Sequence, residues 1–94
     1  MKSPLVPVEF DEAKRLSTLE SRGLYMARAM EVFEGPTLTS EDDRKNYGED
    51  RFITIGFLDD KMVILVWTPR NDVYRIISIR KANEREKRVY ARIL

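Results

Sequence analysis

Apolar residues recur along the chain with two different periods, and the period changes at Pro36. Upstream, Ala13, Leu16 and Leu19 fall three apart, while Met26, Ala29, Met30 and Phe33 fit the i, i+3, i+4, i+7 spacing of a helix face. Asp11 predicts the N-cap of the first helix, where its carboxylate can accept a backbone N–H and face the positive end of the dipole. Gly23 is expected to end that helix, because glycine takes positive φ freely. Gly35-Pro36 ends the second, since proline cannot continue it. Ahead of both, Val8-Glu9-Phe10 reads as a short extended piece. Residues 1–7, with Pro4 and Pro7 and no periodicity, read as a flexible lead-in to a single domain over residues 8–94.

Downstream the alternation is that of strands. Residues 37–40, 51–58 (RFITIGFL), 61–68 (KMVILVWT) and 72–81 (DVYRIISIRK) are the candidates. The acidic, turn-rich EDDRKNYGED, then Asp59-Asp60, then Pro69-Arg70-Asn71 separate them. Connections as short as the last two suit hairpins, so an antiparallel meander is expected. KMVILVWT is apolar on both faces and belongs in the middle. Asn83 predicts the cap of a last helix, with Glu86 at the capping-box position and Val89, Tyr90 and Ile93 as its buried edge. The sum is an α+β fold: two N-terminal helices, a four-stranded antiparallel meander sheet and a C-terminal helix.

Strict alternation in the last strand puts Val73, Arg75, Ile77, Ile79 and Lys81 on one face, and Tyr74, Ile76, Ser78 and Arg80 on the other. Ile77 and Ile79 then read as core. Tyr74, Ser78 and Arg80 form a polar row, with Arg51 able to stand on a nearby strand. Arg75 falls on the other face unless a bulge resets the register. A charge beside a sheet is costly unless it is paired or hydrated. An arginine row therefore implies fixed carboxylate partners or an anion that arrives later.

Composition narrows the chemistry. Ninety-four residues suffice for one core and exclude two domains. Neither cysteine nor histidine is present, which removes disulfides, a thiolate nucleophile and the usual neutral-pH acid and base. Glu41, Asp42 and Asp43 are adjacent without ligand spacing, so no metal is expected. The four glycines stand singly, so no phosphate loop and no cofactor are expected. No apolar run has the length of a signal peptide or a membrane span, and a cytoplasmic, membrane-free protein is the expectation. The net charge of +1 is uneven. Residues 68–94 carry eight Lys/Arg against three acids, whereas residues 1–67 carry nine against thirteen. A basic C-terminal part points to phosphate or to an acidic partner.

Several stretches together carry a resemblance: EFDEAK, Gly23-Leu24, Ala29 with VFEGP, EDDR, YGEDRFITIG, the strand ending in WTPR, and RIISIRKANEREKRVY. In this order and spacing the chain resembles the BrnT family, the ribonuclease toxins of BrnT–BrnA type II toxin–antitoxin systems, whose fold is similar to RelE-like toxins. Three positions depart from the family pattern. Phe10 stands for a tryptophan, Thr18 for an asparagine, and Ser21-Arg22-Gly23 for Lys-His-Gly. Arg22 keeps a cation but cannot titrate near neutrality.

The resemblance implies metal-independent cleavage of RNA and inhibition of translation. It also implies neutralisation by a BrnA-like antitoxin with a ribbon-helix-helix part, in a complex of two copies of each chain, with DNA bound only through the antitoxin. Such cleavage needs a base for the 2′-hydroxyl, cations for the phosphorane and an acid for the leaving 5′-oxygen. Arginine suits the second role by its planar, permanently charged fork, and preorganised charge is usually the largest catalytic contribution.

Arg51 and Arg80 match functional positions and are the expected catalytic arginines. Lys14 joins them as a candidate for proton transfer, and Arg75, Tyr74, Lys81 and Arg22 are the expected RNA contacts. Plainer roles stand beside these. Arg51 or Arg80 could pair with Glu49 or Asp50, Lys14 could be a surface lysine, and Trp67 is expected in the core. A catalytically impaired relative that only binds antitoxin, as a co-repressor module, is the alternative function.

Overall fold

The computed structural model describes residues 7–44 and 46–94, so the expected lead-in lies outside the described residues but for Pro7. Two of the predicted caps form as read. Asp11 accepts a hydrogen bond from the Lys14 backbone N–H at the start of α1 (Glu12–Arg22), and Gly23 closes it in the left-handed conformation with φ 67°. The second helical segment is shorter than a full helix. A 3₁₀ turn (Met26–Arg28) runs into a single turn, α2 (Ala29–Val32), and together they bury Met26, Ala29 and Val32.

The strands are β1 (Val8–Phe10), β2 (Leu38–Glu41), β3 (Phe52–Leu58), β4 (Lys61–Arg70) and β5 (Val73–Lys81), followed by α3 (Glu84–Tyr90). The four-stranded meander is present, but the sheet has a fifth strand and is mixed. Its order is β1-β5-β4-β3-β2, with β1 parallel to β5. Val8-Glu9-Phe10 joins because parallel pairing places Val8 and Phe10 against the core while Glu9 meets Arg75.

Two hairpins turn on pairs of residues with positive φ, Asp59-Asp60 and Asn71-Asp72. That is the signature of the type I′ turn that matches strand twist. The second turn lies two residues later than expected. Proline cannot take positive φ, so Pro69 and Arg70 stay in β4. Pro69 is tolerated there because β3 pairs with β4 only as far as Trp67. Arg28 braces the first hairpin, holding Glu31 at 2.7 Å and Asp59 at 2.6 Å at once.

Helices cover both faces. On one, the main core gathers Leu24, Met26, Ala29 and Val32 with Leu58, Val63, Leu65, Trp67, Ile76 and Ile79. Trp67 stacks on Tyr74 with centroids 4.1 Å apart and on Phe52 at 5.0 Å, and meets the edge of Phe33. Its indole N–H donates to the buried Thr54 hydroxyl at 2.8 Å, and that hydroxyl bonds Thr39 in turn. On the other face a smaller cluster of Ile55, Met62, Ile64 and Ala82 meets Tyr90 and Leu94.

The expected buried edges are corrected here. Leu16 is 48% exposed, Val89 51% and Ile93 61%. Of the expected edge of α3 Tyr90 does pack on the sheet, joined by Leu94 rather than by Val89 and Ile93. No helix among the described residues is long and apolar enough to cross a membrane.

β5 contains the decisive irregularity. Val66 pairs with Ser78 but Trp67 pairs with Ile76, so Ile77 is an extra residue without an opposite number. This one-residue bulge reverses the faces on either side of it. Tyr74, Ile76 and Ile79 all reach the main core, and Arg75 falls on the same face as Ser78 and Arg80. The expected row of Tyr74 with Ser78 and Arg80 is therefore corrected, and Ile77 leaves the core while Ile79 stays.

Close packing of α2 on β3 depends on Gly56. A Cβ there would lie 2.6 Å from Val32 Cγ1 and 3.2 Å from Thr37 Cγ2. Val32 is fully buried and β-branched, so it cannot swing aside. Gly56→Ala is expected to destabilise by about 1–3 kcal/mol, read in urea unfolding as a lower midpoint at unchanged slope.

Candidate functional site

The face that carries α3 is apolar at its centre and cationic at its margins. Ile53, Ile55, Ile64 and Val66 floor a basin of about 370 Å³. Ser78 and Arg80 wall it from β5, Glu86 and Tyr90 from α3, and Arg44 from the loop after β2. The sheet supplies rigid spacing, and the capping box fixes α3. The Asn83 side chain accepts from the Glu86 N–H, and the Glu86 carboxylate accepts from the Asn83 N–H, both at 2.8 Å.

Glu86 has a second task. Both its oxygens accept from Arg80, at 2.8 Å each, in a bidentate pair. The Arg80 side chain stays 45% exposed, so this pair is open to the basin rather than sealed. Arg80 lowers the Glu86 carboxyl to about 2, with help from the Asn83 N–H. The same bond raises the Arg80 guanidinium, against opposing burial and the nearby Arg44 charge.

Arg44 is held in the same manner. Its Nε and Nη2 donate to Asp42 at 2.7 and 2.8 Å. The Asp42 carboxylate is buried while the arginine is two-thirds exposed. Arg44, and more weakly the Tyr47 hydroxyl, hold the Asp42 carboxyl at about 2.

Arg51 lies over the Tyr47 ring at 3.9 Å and donates to Glu49 at 3.1 Å. Of the plainer roles, its pairing with Glu49 is the one realised, whereas Arg80 pairs with Glu86 and not with Glu49 or Asp50. Arg75 opposes Thr68 on β4, and Arg51 continues the β3 register to the same level. Arg75 pairs with Glu9 at 3.3 Å. Strand spacing puts the backbones of Arg51 and Arg80 about 16 Å apart, diagonally across one face. Arg44, Arg51, Arg75 and Arg80 thus share that face with Arg70, each beside a carboxylate and each with donors to spare, because at most three bonds are made from five donors.

The other expected residues divide. Lys14 and Arg22 stand on α1, beside a second depression of about 280 Å³ lined also by Thr18, Ile77 and Ser78. Ser78 borders both hollows, so Lys14 approaches the basin around the β5 edge. β1 pairs β5 only as far as Ile76, and Arg22 meets the uncovered edge beyond, donating to the Ile79 carbonyl at 2.9 Å. Tyr74 lies on the opposite face, stacked on Trp67. Lys81 borders a separate groove with Met62 and Lys87.

The sequence reading missed Arg44, Glu86 and Tyr90 as parts of the basin. EDDR reads as a solvated turn and Glu86 as a cap. Only the i+6 relation of Arg80 to Glu86 across a strand–helix junction hinted at more.

Both depressed carboxyls contribute stability that is complete above their ordinary values of 4.5 and 3.8 and is lost as pH falls toward about 2. Thermal melts are therefore expected to hold steady from neutrality to about pH 4.5 and to fall below it, with Glu86→Gln and Asp42→Asn each flattening that fall.

Comparison with curated proteins gives no match. The model of a protein family described as "Ribonuclease toxin, BrnT, of type II toxin-antitoxin system" matches residues 10–86. That span runs from the last residue of β1 to Glu86 and takes in Arg44, Arg51, Arg70, Arg75 and Arg80. The chain belongs to the BrnT family of ribonuclease toxins of type II toxin–antitoxin systems.

Proposed function

We propose that the chain is a metal-independent endoribonuclease that inhibits translation in the cytoplasm and is silenced by a BrnA-like antitoxin. The observation that carries this reading is the Arg80–Glu86 pair, half-open at a basin whose other rim is Arg44. Arg51 and Arg75 lie farther along the same face. Guanidinium rows of this kind suit a polyanion.

In this reading an RNA phosphate takes Arg80 from Glu86. The freed carboxylate loses the bond that depresses its pKa and becomes the stronger base. Glu86 then removes the 2′-hydroxyl proton as that oxygen attacks phosphorus, and Arg80 and Arg44 neutralise the phosphorane. The bond to the 5′-oxygen breaks, leaving a 2′,3′-cyclic phosphate. Tyr90, which lines the basin, supplies the proton to the departing oxygen. Lys14, beyond Ser78, is the second donor within the reading. Arg22 serves the fold through the Ile79 carbonyl, so loss of the family histidine at that position leaves the basin intact.

The partner in this proposal carries a ribbon-helix-helix part that dimerises, giving two copies of each chain and DNA binding through the antitoxin alone. The competing reading, a co-repressor that binds antitoxin without cutting, is separated by growth. Expression without antitoxin is expected to arrest cells, and free tolerance with intact RNA would favour the co-repressor.

Purified protein in excess chelator is expected to cut RNA to fragments ending in 2′,3′-cyclic phosphate. Arg80→Ala should lower the rate by on the order of 10²–10³ with circular dichroism unchanged. Cleavage persisting in that variant would remove Arg80 from the mechanism. Glu86→Gln should lower the rate by on the order of 10²–10⁴, whereas Asn83→Ala, which weakens the same cap, should cost far less.

A further inference from the structure

On the opposite flank of α3 from the basin lies a groove of about 490 Å³. Phe57, Met62 and Ala91 give it an apolar lining, and Lys61, Lys81 and Lys87 rim it. One acid, Asp60, also borders it. Phe57 is 36% exposed, and Val89 and Ile93 are exposed elsewhere on the C-terminal segment. Arg85, Arg88 and Arg92 are exposed on the same segment.

The charges here differ in kind from those of the basin. The arginines on the basin face each have a carboxylate within the chain. On this flank Lys87 meets Glu84 at 3.2 Å, but Lys61, Lys81, Arg85, Arg88 and Arg92 have no hydrogen-bonded or ion-paired carboxylate among the described residues. Lys61 acts on Asp59 only through its charge. Cations mostly without a bonded carboxylate, around a part-exposed Phe57, call for acids and apolar anchors from outside. Nucleic acid would satisfy the charges but would leave the aliphatic part of the lining, Met62 and Ala91, without apolar partners. A toxin of a type II system has an antitoxin as its protein partner.

We propose that this groove docks an acidic segment of the antitoxin, with apolar side chains seated against Phe57 and Met62 and carboxylates meeting Lys61, Lys81 and Lys87. Such a segment lies against the flank of α3 opposite Glu86. It holds α3 in place, and with it the carboxylate that covers Arg80. Neutralisation thereby acts on the basin without filling it. The docking rests on family membership and on this surface, not on the identity of the catalytic groups.

The test measures affinity of the separately purified BrnA-like antitoxin for wild-type toxin and for Lys61→Glu/Lys87→Glu, together with RNA cleavage in the absence of antitoxin. The double reversal is expected to weaken antitoxin binding by on the order of 100-fold, with a shallower salt dependence and unchanged cleavage. Phe57→Ser should weaken it as well; the lysine variant, altered only at exposed positions, keeps the test decisive if Phe57→Ser fails to fold. Unchanged affinity in the lysine variant overturns the proposal. So does loss of RNA cleavage with antitoxin binding retained, which would assign the groove to RNA. Failure of wild-type toxin to cut RNA bears on the ribonuclease reading alone, since antitoxin affinity is read separately.

Discussion

One extra residue in one strand sets the character of this molecule. Side chains alternate across a sheet with a period of two, so a single insertion exchanges every side chain beyond it between faces. Ile77 is that insertion in β5. Without it, the register that sends Ile79 into the core would send Tyr74 and Ile76 out of it and turn Arg75 inward. With it, Tyr74 and Ile76 reach Trp67 while Arg75 and Arg80 share the outer surface. The bulge sits where β1 stops pairing, at Ile76. There the local bend and the unpaired edge are accommodated by α1 and by Arg22, which donates to the Ile79 carbonyl.

The charges obey a division that follows from this geometry. Arg44, Arg51, Arg75 and Arg80 are each steadied by a carboxylate: Asp42 and Glu49 from the arginine's own loop, Glu9 from β1 and Glu86 from α3. Such pairs contribute little to stability at a surface, but they fix guanidinium groups in position, which is what preorganised charge requires. Glu86 joins two of these functions, because one carboxylate both caps α3 and faces Arg80. The helix start and the basin are mechanically one unit. On the far flank of α3 Lys87 alone of the rim lysines has such a partner among the described residues, and the same short helix therefore separates two surfaces of different habit.

Much of the fold was legible from local chemistry. Asp11, Gly23 and Asn83 with Glu86 announce helix ends because their side chains or φ preferences act within three or four residues. Asp59-Asp60 announces a hairpin for the same reason. The meander followed from short connections, and Trp67 was recognisable as core from its strand. Long-range facts were not legible. Nothing within Val8–Phe10 specifies a parallel partner some sixty-five residues away in sequence, and the exposure of Val89 and Ile93 depends on how α3 is laid across the sheet. The turn at Asn71-Asp72 was missed by two residues, because Pro69 looked like a breaker when it was a strand end with no β3 neighbour.

For the site, the residues determined which chemistry is available: no thiol, no imidazole, an abundance of arginine, and a family pattern that made Arg51 and Arg80 candidates. Tertiary structure decided which of those groups meet. It brought Arg44 and Glu86 to Arg80, drew Tyr74 into the core, turned Arg75 outward and left Lys14 around the strand edge. The reason is that side-chain identity is written one residue at a time, whereas facing and proximity depend on register. A one-residue bulge, silent in composition and period, changes register for everything beyond it.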